Sequence, residues 1–159
     1  EYNKKNKVMV LINSEITKNK KTNVNKTIGS YKKFINKNKL KSKIILKKIN
    51  IPSTMLGYRQ AYTHALIGKN LGCNNFIIGR DHSGYKKFYK EFESFNFCKK
   101  HEKKLGIKIL SSGSPVYCKS CKRVVFRNEC SCKVIKIDIS ASLIRNLKNK
   151  NLRKSITNF

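Results

Sequence analysis

The chain has 159 residues, enough for one α/β domain with its own core and a small appended module, and too few for two full-sized domains. Its 37 Lys and Arg against 8 Asp and Glu give a formal charge of +29, but the excess is Lys scattered beside Asn and Ile rather than Arg clustered with aromatics, which argues against nucleic acid as the main partner. No apolar run approaches the length of a membrane span and the opening segment is too polar for a signal peptide, so the expectation is a soluble, cytoplasmic chain with no membrane partner.

Residues 7–12 (KVMVLI) form an apolar run of strand length, and the polar residues through Lys21 read as the loop after it. Val24, Ile28, Tyr31, Phe34 and Ile35 recur at helical spacing behind Thr22 as N-cap. Gly29 inside that helix costs about 1 kcal/mol relative to Ala. Residues 42–49 (SKIILKKI) read as a second strand, ended by Pro52. The next helix, 59–70, places Ala61, Tyr62, Ala65, Leu66 and Lys69 on one side, and Gly72 stops it. His64 lies mid-helix beside Ala65 and is read as a packing residue. Phe76, Ile77 and Ile78 then make a short apolar strand that runs into Gly79-Arg80-Asp81-His82-Ser83-Gly84. Open α/β sheets bind ligands just outside the carboxyl ends of their strands, so a glycine-bounded Arg-Asp-His there is a candidate anion or nucleotide site. Asp81 is also the one acidic residue between Glu15 and Glu91, although pairing with Arg80 or capping the next helix would account for it equally well.

Beyond the loop, Phe88, Phe92 and Phe95, with Leu105 further on, fall on one side of a helix ending near Gly106, and these rings read as core. Residues 107–110 are a strand, 111–115 (SSGSP) a loop and 134–139 a last strand. Ser140 then caps a short basic helix carrying Leu143, Ile144 and Leu147. Alternation of this kind predicts right-handed crossovers and a Rossmann-like α/β fold, its sheet mainly parallel with helices on both faces.

Between those last two strands lie Cys118, Cys121, Cys130 and Cys132 in a C-x2-C…C-x-C arrangement. In a reducing compartment four thiols this close suit a tetrahedral structural zinc, with Lys119, Lys122 and Lys133 favouring thiolates; disulfides are the alternative. Four sulfur ligands leave no position for an activated water, so such a zinc is not catalytic. Cys73 and Cys98 read as buried small hydrophobes, and His101 as an outside candidate for a fourth ligand.

Gly57, Arg59, Ala61, His64, Ala65, Lys69, Asn70, Gly72, Cys73, Phe76, Ile77 and the run from Gly79 to Gly84 resemble, in register, the ATP sulfurylase (sulfate adenylyltransferase) family. The bacterial type carries a zinc insert opening Tyr-Cys-x-x-Cys, matched at Tyr117, Cys118, Cys121 and Cys130, with Cys132 standing where the family usually has His. The resemblance implies a nucleotidylyltransferase domain over 1–116, a zinc insert over 117–133, and the domain's final strand and helix over 134–159. It implies transfer of the adenylyl group of ATP to sulfate, with magnesium accompanying ATP and a homo-oligomer compatible with it. Gly79, Arg80, Asp81 and His82 then contact ATP, Arg80 and His82 supply catalytic charge and donors, Ser83 offers its amide to sulfate in place of the usual Ala, and Val125 lines the adenine pocket. Ser140 to Arg145 resembles the family's Ser-Gly-Thr-x-x-Arg signature with Ala141 for Gly, while Tyr58 and Thr54 stand where Pro and often Arg occur.

The family's Gln-x-Arg-Asn and His-x-x-His segments have no counterpart here, and the chain opens on Glu1-Tyr2 as though cut just after them. The expectation is a fragment that binds nucleotide weakly and turns over poorly or not at all alone. Competing readings are a basic zinc-ribbon module that holds RNA, an inactive structural homologue, and another nucleotidylyltransferase of the same general fold.

Overall fold

A computed structural model describes residues 6–14, 24–52, 56–80, 82, 88–127, 129–134 and 136–139. The chain divides into two compact units, Glu1–Met55 and Leu56–Phe159. Among the described residues no helix is long and apolar enough to cross a membrane.

The first unit is a strand, a helix and a strand: β1 (Val8–Asn13), α1 (Val24–Lys37) and β2 (Ile44–Ile49). β1 and β2 pair in parallel from Val8 opposite Ile44 to Asn13 opposite Ile49, a pairing that requires a crossover such as α1. α1 buries Ile35. It ends where Lys39 takes a positive φ of 53° and Leu40 N–H reaches back to the Ile35 carbonyl at 2.9 Å, closing the last turn. Asn13 ties down the chain after β2, donating from Nδ2 to the Ile51 carbonyl at 2.9 Å and accepting from Ile51 N–H at 3.3 Å. Thr22 lies outside the described residues.

The second unit holds α2 (Tyr58–Asn70), β3 (Asn75–Ile78), α3 (Glu93–Lys100), α4 (Glu102–Leu105), β4 (Lys108–Ser111), β5 (Pro115–Cys118), β6 (Arg123–Phe126) and β7 (Lys136–Asp138). Its core joins Ala61 and Ala65 of α2 to Ile78, Cys98, Leu105, Ile107 and Ile109, with Cys73, Phe76 and Phe95 packed at the margin. The small residues of α2 let that helix approach β3 closely. A side chain at Gly68 would meet the Phe76 ring at 3.0 Å. α2 stops as the sequence predicts: Gly72 takes a φ of 85°, and Cys73 N–H bonds the Gly68 carbonyl at 3.0 Å. β3 and β4 pair in parallel from Asn75 opposite Lys108 to Ile78 opposite Ser111, and Ser112 N–H extends the ladder to the Ile78 carbonyl at 3.1 Å.

Two expectations need correcting. The aromatic helix does not start before Glu93: Phe88 is 78% exposed, and Phe92 has a left-handed φ of 60° that places it outside the helix as its N-cap. The helical stretch is also broken at His101, after which α4 ends at Gly106 and the Glu102 carboxylate accepts from Ile109 N–H at 2.6 Å and Lys99 Nζ at 2.7 Å. The last described strand, β7, does not lie in a parallel pair. It runs antiparallel to β5, on the side opposite β6, in a three-stranded sheet ordered β6-β5-β7. The described strands are therefore two parallel pairs and one antiparallel sheet.

Candidate functional site

β3 delivers its carboxyl end to Gly79, with the buried Ile78 anchoring the strand beneath it. Among the described residues a Cβ at Gly79 would meet Ser112 Oγ at 3.8 Å, an ordinary van der Waals contact. His82 N–H returns to the Gly79 carbonyl at 3.3 Å, which makes the segment a tight turn. The first turn of α3 clamps that turn from outside. Phe92 N–H donates to the Arg80 carbonyl at 2.9 Å, and the buried Ser94 donates its hydroxyl to the His82 carbonyl at 3.0 Å. Both backbone carbonyls are thereby tied down by the start of α3.

The Arg80 side chain is 17% exposed, with Nε 3.8 Å from Glu91 Oε1 and Nη1 3.9 Å from Asp138 Oδ1. Asp138 makes its closer pair, at 2.7 Å, with Arg127 just after β6. The Arg80 pairs are long and their carboxylates exposed, so each contributes little.

His82 meets a partner that the sequence reading treated as packing. His82 Nε2 lies 2.9 Å from His64 Nδ1, with the rings 5.2 Å apart and nearly perpendicular, and Phe76 flanks His82 edge-on. Helical spacing marked His64 as lying near the core but said nothing of a partner eighteen positions on. The signal that could have found the pair is the shortage of His itself, three in the chain with two of them in the most reactive-looking stretch. Burial, and then the neighbouring His64, push His82 down to about 4, and burial lowers His64 as well. Both rings are neutral near pH 7, so His82 acts as a hydrogen-bonding group rather than a cation.

Val125 sits in β6, half-buried and opposite Val116 of β5. Asp81, Ser83 and Gly84 lie outside the described residues, as do Thr54 and the segment from Ser140 to Arg145.

The structure brings all four predicted cysteines of the insert together. Their Sγ atoms lie within 4.8 Å of one another. Cys121 Sγ is 3.5 Å from Cys132 Sγ and 3.9 Å from Cys130 Sγ, and a tetrahedron of sulfurs about 2.3 Å from a zinc has edges of about 3.8 Å. None of the six cysteines is joined in a disulfide in this structure. The backbone N–H of Cys121 donates to Cys118 Sγ at 3.5 Å and is the main cause that lowers that thiol to about 7, while the hydrogen bond with Cys132 pushes Cys121 up to about 12. Four crowded sulfurs cannot all ionise without a cation between them, and the donor set fits a soft divalent metal. His101 is not part of the group; its Nδ1 bonds the Phe97 carbonyl at 2.8 Å and its ring packs on Phe97 and Tyr62. Cys98 is buried as expected, and burial pushes its thiol up to about 11.

A family model described as ATP-sulfurylase matches residues 2–154. Among curated proteins, the chain is 34% identical over 101 residues to a sulfate adenylyltransferase of Carboxydothermus hydrogenoformans, a match covering 63% of this chain and 26% of that protein. It is 32% identical over 112 residues to one of Staphylothermus marinus, covering 69% and 28%. It is 39% identical over 77 residues to one of Deinococcus radiodurans, covering 46% and 19%. The chain thus spans about a quarter of the length of the first two of these relatives. Among solved structures, a hexameric APS kinase from Thiobacillus denitrificans aligns with a TM-score of 0.58 over 88% of this chain and 26% of that one, at 14% identity, a likeness of fold alone.

Proposed function

Since this chain belongs to the ATP-sulfurylase family, we propose that it carries part of the catalytic region of a sulfate adenylyltransferase, which joins sulfate to the α-phosphate of ATP and releases pyrophosphate. The observation that carries the reading is the Gly79-Arg80-Asp81-His82 segment at the carboxyl end of a parallel strand, with the Arg80 and His82 carbonyls pinned by the start of α3. In this reading 1–116 and 134–159 belong to one Rossmann-like nucleotidylyltransferase domain and 117–133 to a zinc insert.

A sulfate oxygen attacks the α-phosphorus as the bond to pyrophosphate breaks, and the protein's work is to hold these groups in line and to meet the charge that develops. Arg80 supplies the fixed positive charge. Its pairs with Glu91 and Asp138, at 3.8 and 3.9 Å, are long, and a phosphate offers the guanidinium more charge and fork-shaped geometry. His82 supplies a neutral donor, Gly79 a surface on which a phosphate can approach the backbone, Ser83 an amide for sulfate and Val125 an apolar wall for adenine. Magnesium bound with ATP would supply charge neutralisation for its phosphates. Cys118, Cys121, Cys130 and Cys132 would hold a structural zinc with every position taken by sulfur. The RNA-module reading is not favoured, because the family match includes the cysteine cluster. Expression in a reducing cytoplasm and assembly into a homo-oligomer accord with the same reading.

Calorimetry of Mg-ATP binding in moderate salt tests it. The chain binds, and Arg80→Ala and His82→Ala lose most of the affinity. Equal weak binding by all three, fading as salt rises, would mean that the basic surface and not the loop attracts the nucleotide.

A further inference from the structure

His64 and His82 hold four ring nitrogens, and their surroundings constrain where the protons go. Two neutral imidazoles whose nitrogens lie 2.9 Å apart share a single proton between the facing atoms, His64 Nδ1 and His82 Nε2. If His82 donates, the proton of His64 must sit on Nε2, which is buried with no hydrogen-bond partner among the described residues. That arrangement strands an N–H donor, and buried orphan N–H groups are rarer than buried acceptors left short of a partner. If His64 donates, its Nε2 is a bare acceptor and His82 must carry its own proton on Nδ1. The pair with His64 is the one side-chain hydrogen bond of His82 among the described residues, so the second ring nitrogen is left for another group.

We propose that His64 is a positioning residue for His82: its Nδ1–H, donated to His82 Nε2, holds that ring in the Nδ1–H form, so that His82 presents a neutral donor to an anionic phosphate oxygen. The phosphate half of this statement rests on the nucleotide reading of the loop; the proton assignment does not. With the opposite assignment His82 would turn a lone pair toward the anion and repel it. Neutrality of both rings, a consequence of burial, is what leaves a single proton to assign at the contact.

Nitrogen-15 correlation spectra of the labelled chain near neutral pH, without nucleotide, read the tautomers directly. The expected pattern is a protonated Nδ1 and a bare Nε2 on both rings. A protonated Nε2 on His82 overturns the inference, and this test needs no variant. His64→Asn keeps a short amide donor near the position of Nδ1 and should retain the His82 pattern and the Mg-ATP affinity. His64→Phe fills the space without a donor, should release His82 to a mixture of tautomers, and should weaken Mg-ATP about tenfold. Unchanged spectra and affinity in His64→Phe would sink the positioning role. A wild-type chain with the expected tautomers that binds no Mg-ATP supports the pairing and refutes the nucleotide reading, so the two failures are distinct.

Discussion

Around Gly79 to His82 the polar groups are held by a core that exists without them. Ile78 is fully buried beneath the turn, Ala61 and Ala65 pack α2 against it, and the backbone carbonyls of Arg80 and His82 are bonded by the start of α3. The cysteine hairpin differs at its tip. β5 buries Val116, Tyr117 and Cys118, but Cys121 is exposed and the described residues of the stretch carrying Cys130 and Cys132 form no helix or strand, with Lys136 Nζ of β7 donating to the Cys130 carbonyl at 2.6 Å. A turn seated on a packed core is preorganised by apolar burial, whereas a turn without one needs a cross-link. The first should survive loss of its ligand, and the second should not survive loss of the zinc proposed for it.

The largest effect is therefore expected at the hairpin. Cys118→Ser, or a strong chelator, should cost about 4 kcal/mol of local stability. Hydrogen exchange should then accelerate from Pro115 to Asp138 while α2, β3 and β4 stay protected, and elemental analysis should find one zinc per chain before the treatment and none after it. Uniform loss of protection through the whole second unit would mean that the two regions share one cooperative core.

Acid should act on the turn in a narrower window. His82 titrates near 6.5 when unfolded and at about 4 when folded, so the unfolded state binds the extra proton between those values. The stability that comes from keeping it neutral is present above pH 6.5 and is lost as pH falls toward 4, on the order of 2 to 3 kcal/mol. His64 shifts in the same direction and adds to the loss. Urea melts across that range, repeated on His82→Phe, check it: the variant should show a flatter pH profile. An unchanged slope would place the acid sensitivity elsewhere.

The smallest change in stability is expected from Gly79→Ala, within about 0.5 kcal/mol, because a methyl there meets only Ser112 among the described residues. The same variant should lower Mg-ATP affinity about tenfold by crowding the backbone that a phosphate approaches. Thermal melts alongside calorimetry separate the two; a large loss of stability with normal binding would return the glycine to a packing role.

Much of this was readable along the chain. The α2 stripe of Ala61, Ala65 and Leu66, the stop at Gly72 and the apolar run before Gly79 are local patterns whose physical meaning does not depend on distant residues. The four cysteines were legible for the same reason, since metal-ligand spacing is a short-range signal, and the structure adds that Cys132 completes the group in place of His101. Phe88 and Phe92 misled because helical periodicity carries no sign of where a helix begins, and the Arg80 carbonyl claims Phe92 N–H before α3 can extend backward.

Residue types and spacings were enough to name the loop, the cysteines, the α/β class and the family resemblance, because each is written in contiguous positions. Partners across the fold were not: the antiparallel seat of β7 on β5, the clamp of α3 on the turn, and the His64 contact with His82 depend on which faces meet once the core of the second unit closes. A strand's apolar run does not specify its neighbour, and a helix's periodicity does not specify what its polar residue touches, since those choices follow from burial summed over the whole unit.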